Sequence, residues 1–413
     1  MMTLQATKPF VDKPHTRLAM GLYLILYPII EGISNQYLPI GTVALGLIVA
    51  LVWLAELVNS RSLVFSYGHI LLSLFTFWNI TSYFWSLDKD RTLERSISLF
   101  LVMVIYWVVT DIVHKKDDFA RLCYSYSLGA LILALTGVYN IIAGNSYNDL
   151  SNRYSGIGYD PNNFGIFILS AVPIFDQAIR EFRKPSPILS WVFLAFMTIV
   201  ALSTGSRSAL IAAGIINLYM IVSNVSLKRN ALRSVTALTT FALLLGVTWR
   251  AQSTFIPVEA LTRASSELAV SGEDERSLIW REAFSMWLDD WLIGVGSNAF
   301  YSVSDVGFQI HNTFISALAE LGIVGFLIWA SLWLAHIALI VRCGRANRVL
   351  AFGLTCAFGC VLIGALTLNW EARKPLYLVW GLIGAAGAIS KRRVLRQSVE
   401  RIEENFVAIG TRL

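Results

Sequence analysis

Gln309-Ile-His-Asn-Thr313 leads directly into the apolar run FISALAELGIVGFLIWASLWLAHIALIV, residues 314–341. A helix needs roughly 20 mostly apolar residues to cross the hydrocarbon core of a bilayer, and this run is long enough. In front of it lies the longest interruption between apolar segments, from Arg250 to His311. The pattern predicts membrane helices that hold one long polar loop at the bilayer surface.

The composition of the whole chain agrees with this interpretation. Of the 413 residues, 56% are hydrophobic and 15% are charged, and the mean hydropathy is +0.61. These values exclude an ordinary soluble domain. We predict an all-α polytopic membrane protein, a single domain over residues 1–413, with about twelve transmembrane helices. The predicted spans are 18–33, 38–58, 68–86, 96–113, 122–143, 162–180, 187–204, 208–225, 232–249, 312–341, 350–368 and 376–390.

The distribution of Lys and Arg orients these spans. With a cytoplasmic N-terminus, most of the 33 basic residues fall in segments on the inner side, as the positive-inside rule requires. The net charge of +6 is therefore read as a topology signal, and no nucleic-acid partner is expected. Both termini are then cytoplasmic, and the loop 250–311 faces outward. The basic, amphipathic tail 391–413 is predicted to bind inner-leaflet lipids.

This topology leaves His311 as the only one of five histidines on the outer face. A neutral imidazole there can accept a proton from a hydroxyl group at physiological pH. The alternative is an interfacial histidine that only caps a helix. Glu320 lies on the opposite face of the following helix, so a direct His311–Glu320 pair is not expected.

Arginines in two motifs are candidate anion ligands. Arg207 lies in Ser203-Thr-Gly-Ser-Arg-Ser208, a turn of small residues in front of a helix whose free N–H groups attract anions. Arg276 and Arg281 lie in a second motif, the tryptophan-rich run from Arg276 to Trp291. A guanidinium can bind phosphate oxygens in a bidentate manner. The alternative for each arginine is contact with lipid headgroups or water.

The second motif predicts an amphipathic helix at about 274–292, lying flat on the membrane. Its apolar stripe consists of Trp280, Phe284, Trp287, Leu288 and Trp291. Ser271 and Asp274 resemble a capping box at its start. The stripe is expected to lie at the level of the lipid headgroups.

Acidic and polar residues elsewhere have simpler explanations. Glu273-Asp-Glu275 and Asp289-Asp290 could hold a metal ion, but a hydrated acidic loop explains them as well. The four cysteines lack metal-type spacing, and we expect no metal and no cofactor. Asp160 fits a helix N-cap with Pro161 as the first helical residue, and Asn162 could contact a ligand.

Several of these motifs together resemble the bacterial O-antigen ligase and polymerase superfamily. They are Asp160-Pro-Asn-Asn-Phe164, Gly205-Ser-Arg207-Ser, Arg276-Ser-Leu-Ile-Trp280, Leu292-Ile-Gly-Val-Gly296 with Phe300, His311-Asn-Thr-Phe, and Glu320-Leu-Gly-Ile-Val-Gly325. The layout is most similar to that of the ligases, because of the one large outer loop.

The resemblance implies a metal-independent glycosyltransferase of the GT-C type in the bacterial inner membrane, with a periplasmic active site. The donor would be a glycan on undecaprenyl pyrophosphate. The acceptor would be a sugar hydroxyl of lipid A–core, in lipopolysaccharide biosynthesis. His311 would be the essential histidine, and Arg207 and Arg276 (or Arg281) would bind the pyrophosphate. From the residues themselves, His311 is the candidate general base, and Asp160, Asn162 and Asn312 are possible substrate contacts.

Two alternatives stay open at this point. A polymerase would instead join one lipid-linked repeat unit to another, with the same donor. A transporter or flippase for lipid-linked sugars is less expected, because the predicted spans contain few ionisable residues near mid-membrane. Matching halves with paired broken helices are not seen in the sequence either.

Overall fold

The computed structural model describes residues 12–36, 40–60, 62–147, 153–181, 187–224 and 275–390. Within these ranges every regular element is a helix. In chain order they are α1 (Pro14–Gln36), α2 (Ile40–Ser60), α3 (Tyr67–Thr81), α4 (Lys89–Ile112), α5 (Lys116–Ala143), α6 (Pro161–Glu181), α7 (Pro187–Leu202), α8 (Arg207–Asn224), α9 (Glu275–Asp289), α10 (Phe300–Val303), α11 (Thr313–Ala346), α12 (Arg348–Thr367) and α13 (374–390). A short 3₁₀ helix, Ser82–Phe84, extends α3.

Six helices in the described part are long and apolar enough to cross a membrane, and two shorter apolar helices accompany them. The six long ones belong to α1, α2, α4, α5, α11 and α12, and the shorter ones to α7 and α8. The protein is therefore a polytopic membrane protein. The predicted span 232–249, the capping box at Ser271 and the tail 391–413 lie outside the described residues, so the count of twelve spans stays a prediction.

Helix α6 lies at the centre of the bundle and packs against α5, α7, α8 and α12. Side chains all around it are buried, among them Phe164, Phe167 and Ile168, as expected for a helix that contacts protein on every side. The outer helices instead expose large apolar side chains such as Leu51 and Leu218, which fits a surface in contact with lipid tails. This arrangement fixes the ends of α6 and α12, where the site described below is formed.

Helix α11 is broken near its start, where the sequence predicted an uninterrupted span over 312–341. Gly322 adopts φ 64° and ψ −172°, so its backbone turns away from the helix. The segment Trp291–Gly296 fills the break with its own backbone. Ile323 N–H donates to the Trp291 carbonyl (2.9 Å), and Gly296 N–H donates to the Glu320 carbonyl (2.9 Å). The break is thus satisfied by hydrogen bonds from the loop that precedes the helix.

A Cβ atom cannot be accommodated on either side of this contact. At Gly322 it would lie 2.3 Å from the carbonyl carbon of Leu292, and at Gly294 it would lie 2.5 Å from that of Glu320. The two glycine-containing motifs therefore interlock through bare backbone. This contact ties the loop to the membrane domain.

The opposite end of the bundle is held by a fully buried ion pair. The Lys13 ammonium donates to the Asp111 carboxylate and to the Ser62 carbonyl, the latter at 2.7 Å. The same carboxylate accepts from the Trp53 indole (2.8 Å) and from Val64 N–H (3.0 Å). These bonds fix the residue before α1 against α4.

Candidate functional site

A cavity of about 350 Å³ opens at the end of the bundle where α7 and α12 end and α6 and α8 begin. It is lined by Arg153, Asn162, Gly205, Arg207, Ser208, Ile211, Arg276 and Thr367. Three of these eight residues are arginines, so the wall is strongly cationic. The cavity is therefore suited to an anion with several oxygen atoms.

The turn between α7 and α8 places Arg207 at this cavity. Gly205 has φ +61°, a left-handed conformation that reverses the chain. The Ser206 hydroxyl then accepts from Ala209 N–H (3.3 Å) and caps the helix, which begins at Arg207. The Arg207 side chain is exposed at the first turn of α8. The predicted turn of small residues in front of a helix is confirmed, and Arg207 is the first residue of that helix.

Arg153 is a cavity residue that the sequence reasoning missed. Its Nε donates to the Thr204 carbonyl (2.8 Å) and its terminal nitrogen donates to Asn162 Oδ1 (3.0 Å). A Cβ atom on Gly205 would lie 3.3 Å from Arg153 Cγ, so the side chain packs closely on the turn. Arg153 therefore bridges the turn before α8 and the first turn of α6. No local motif marks it, because its role depends on two segments distant in sequence.

Helix α9 carries the second motif and covers Glu275–Asp289, against the expected 274–292. Arg276, in its first turn, lines the cavity, whereas Arg281 is exposed and is not part of the cavity wall. The buried face of α9 is formed by Ile279 and Ala283, which pack in one cluster with Phe300, Ile310 and Ala319.

The predicted apolar stripe of α9 is divided between two surroundings. Phe284, Leu288 and Trp291 are exposed, as a lipid-facing surface requires. Trp280 is directed inward, and its indole N–H donates to the Ile310 carbonyl (2.9 Å). The buried carbonyl thus gives this indole a hydrogen-bond partner inside the protein, whereas the sequence groups it with the headgroup-facing stripe.

His311 lies between Ile310 and the start of α11, half-buried, with φ 54°. It is not among the residues of the cavity wall, but its ring is within electrostatic range of Arg276. Burial lowers the pKa of the imidazole below its ordinary value, the positive charge of Arg276 lowers it further, and the Asp160 carboxylate opposes both. The ring is therefore neutral at pH 7 and has a lone pair available for a proton.

The three polar candidates of the sequence divide between structural roles and the cavity. Asp160 accepts from the N–H groups of Asn162 (2.9 Å) and Asn163 (3.2 Å), so its predicted role as the N-cap of α6 is confirmed. Asn312 caps α11 by accepting from Phe314 N–H (3.0 Å) and Ile315 N–H (3.2 Å). Asn162 is the one of the three that lines the cavity.

The remaining histidines and the cysteines lie elsewhere. His69 and His336 are buried among aromatic rings, and the ring of His336 stacks on Trp380. All four cysteines are buried free thiols. Within the ranges that the structure describes, no three His, Cys, Asp or Glu side chains lie close enough to hold a metal ion.

Comparison with known proteins agrees with the motifs. Residues 192–330 match the protein-family model described as Wzy_C, O-antigen ligase, and no curated protein matches the chain. The matched stretch covers about a third of the sequence and contains Arg207, Arg276 and His311. The resemblance to the O-antigen ligase family is thereby confirmed over these residues.

Proposed function

We propose that the protein is an O-antigen ligase: it transfers a glycan from undecaprenyl pyrophosphate to a sugar hydroxyl of lipid A–core. The observation that carries this proposal is the cavity in which Arg207 and Arg276 meet. The two arginines come from motifs far apart in the chain, yet they line one wall together with Arg153. The matched family model supports the same reaction class.

The donor pyrophosphate occupies the cationic cavity in this proposal. Arg207 and Arg276 bind its oxygen atoms, and the N–H groups at the start of α8 add a favourable partial charge. Arg153 holds the turn that carries Arg207 through its bond to Thr204. Ile211, one turn along α8, gives the cavity an apolar side, where the polyprenyl chain leaves towards the lipid.

His311 is the general base for the acceptor. Its neutral ring accepts the proton of the attacking hydroxyl, whose oxygen forms a bond to the anomeric carbon of the donor sugar. The bond between that carbon and the pyrophosphate oxygen breaks, and the configuration at the carbon is inverted. The negative charge that grows on the leaving pyrophosphate is stabilised by Arg207 and Arg276. No metal or cofactor takes part.

Substitution of the base and of one arginine tests the assignment. His311→Ala is expected to lower the transfer rate by about 10²- to 10⁴-fold, the usual contribution of a general base. Arg207→Lys is expected to weaken donor binding, because lysine lacks the planar fork. Arg281→Lys is the matched control, since Arg281 lies on α9 but not in the cavity wall. Wild-type transfer by the His311→Ala protein would exclude the proposed base.

The choice of acceptor separates the ligase from the polymerase. Purified protein is supplied with an undecaprenyl-pyrophosphate-linked oligosaccharide and with rough-type lipid A–core. A product on lipid A–core supports the proposal, whereas a lengthened lipid-linked chain indicates a polymerase. Movement of the labelled donor across vesicles without any new glycosidic bond would indicate a flippase.

A further inference from the structure

Helix α9 contacts both halves of the candidate site. Arg276 lies one turn before Trp280, so the two side chains leave the helix on nearly the same face. Arg276 lines the cavity, and the Trp280 indole N–H donates to the carbonyl of Ile310, directly before His311. A single rigid helix therefore links the donor cavity to the residue that carries the base.

The backbone of His311 requires support from its neighbours. Its φ of 54° lies in the left-handed region, which in the described part of the chain only one other non-glycine residue, Asn298, shares. A residue other than glycine is held in such a conformation only when the surrounding structure determines it. The support comes from both flanking residues.

The two supports differ in what they fix. On the C-terminal side, Asn312 caps α11, so this support belongs to the helix that follows His311. On the N-terminal side, Ile310 is completely buried in the cluster that also contains Ile279 and Ala283 of α9, and its carbonyl accepts from the Trp280 indole N–H at 2.9 Å. The N-terminal support therefore determines where the imidazole lies relative to α9 and to Arg276.

We propose that Trp280 is a positioning residue for glycan transfer: through Ile310 it holds the His311 ring in register with the Arg276 guanidinium. This inference rests on the proposed function. The distance between the His311 imidazole and the Arg276 guanidinium then stays constant, so the attacking hydroxyl is deprotonated at a fixed distance from the bound donor. Trp280 itself touches neither substrate in this scheme.

Trp280→Phe is the sharpest test, because it keeps an aromatic ring and removes the indole N–H, while the accompanying loss of ring volume is the same in the control. The matched control is Trp287→Phe, on the same helix, whose indole N–H donates to the Trp291 carbonyl at the exposed end. Both proteins are assayed with the undecaprenyl-pyrophosphate-linked oligosaccharide and rough-type lipid A–core. For Trp280→Phe, kcat is expected to fall by about 10- to 100-fold, the usual effect of a small misplacement of a catalytic group. The donor KM is expected to change little, because Arg276 stays in place.

A second readout does not depend on turnover. Diethyl pyrocarbonate modifies exposed neutral imidazoles, and mass spectrometry gives the rate at His311. Release of the loop is expected to raise this rate in the Trp280→Phe protein and not in the Trp287→Phe protein. If the Phe variant aggregates on size exclusion, Trp280→Tyr replaces it. The tyrosine hydroxyl lies further along the side chain than the indole nitrogen, so this variant also lacks a donor at the position of the indole N–H.

His311→Ala in the same assay separates the two possible failures. If His311→Ala abolishes transfer while Trp280→Phe has the kcat of the control, the positioning role is refuted and the proposed base stands. A raised donor KM with unchanged kcat also refutes it, because Trp280 would then act on the donor cavity. If His311→Ala retains full transfer, the proposed function loses its base and the inference falls with it.

Discussion

Replacement of Gly322 by alanine tests the interlocked break in α11. The backbone there has φ 64° and ψ −172°, a region that is essentially restricted to glycine and costs other residues about 1–3 kcal/mol. The new Cβ would also lie 2.3 Å from the carbonyl carbon of Leu292, and such an overlap costs about 1–3 kcal/mol more. The lower entropy of the unfolded alanine chain offsets less than about 1 kcal/mol. The net expectation is a decrease of about 1–5 kcal/mol in the free energy of unfolding.

The measurement is the apparent melting temperature in detergent, read as loss of the monodisperse size-exclusion peak after heating. The unfolding entropy is about 2.1 cal/mol/K per residue, so a chain of 413 residues shifts by roughly 1 °C per kcal/mol and the expected decrease is about 1–5 °C. Gly359→Ala is the matched control, because Gly359 lies inside α12 and its Cβ would have no heavy atom within 4 Å. That variant is expected to be slightly more stable, since alanine favours the helix. A Gly322→Ala protein that melts at or above the wild-type temperature would refute the account of the break.

Three further predictions concern the ends of the bundle. Lys13→Met is expected to lower the free energy of unfolding by about 3–5 kcal/mol, because it leaves the Asp111 carboxylate buried without its ammonium partner. Adding Asp111→Leu should restore most of this stability in the same heating assay. A Lys13→Met protein as stable as wild type would contradict the prediction. The pH profile of transfer should lose activity on the acid side as His311 is protonated, at a pH below the ordinary histidine value. Asp160→Asn keeps the cap but removes the charge that raises the pKa of His311, so this acid limb should move to lower pH, and an upward movement would contradict the assignment. Arg153→Lys keeps the charge but replaces the two nitrogens that bond Thr204 and Asn162 with a single ammonium. The donor KM should therefore rise by about tenfold, as loss of one charge-assisted bond predicts, with Arg281→Lys as the unaffected control.

Local features of the site could be predicted from the sequence. Arg207 follows a turn of small residues and begins a helix, and both properties are visible in six consecutive letters. Asp160 before Pro161 is recognisable as a helix cap for the same reason. Arg153 has no such signal, because its partners Thr204 and Asn162 come from other segments and only the folded chain brings them together.

The break in α11 and the inward position of Trp280 show a different limit. By mean hydropathy, residues 314–341 form one apolar run, because Gly322 lowers the mean too little to mark a break. The visible signal is the pairing of two glycine motifs, Leu292–Gly296 and Glu320–Gly325, which interlock in the structure. For Trp280, a helical wheel gives an apolar stripe but cannot distinguish lipid from protein as its neighbour, because both are apolar.

The cavity wall also limits how the protein could be re-engineered. Arg153 and Asn162 precede the segment that holds Arg207, Arg276 and His311, and Thr367 follows it. A chimera that exchanges only this central segment between two homologous proteins would combine the charged groups of one protein with the remaining cavity residues of the other. Exchange of donor preference should therefore require joint transfer of the α5–α6 connection and the end of α12.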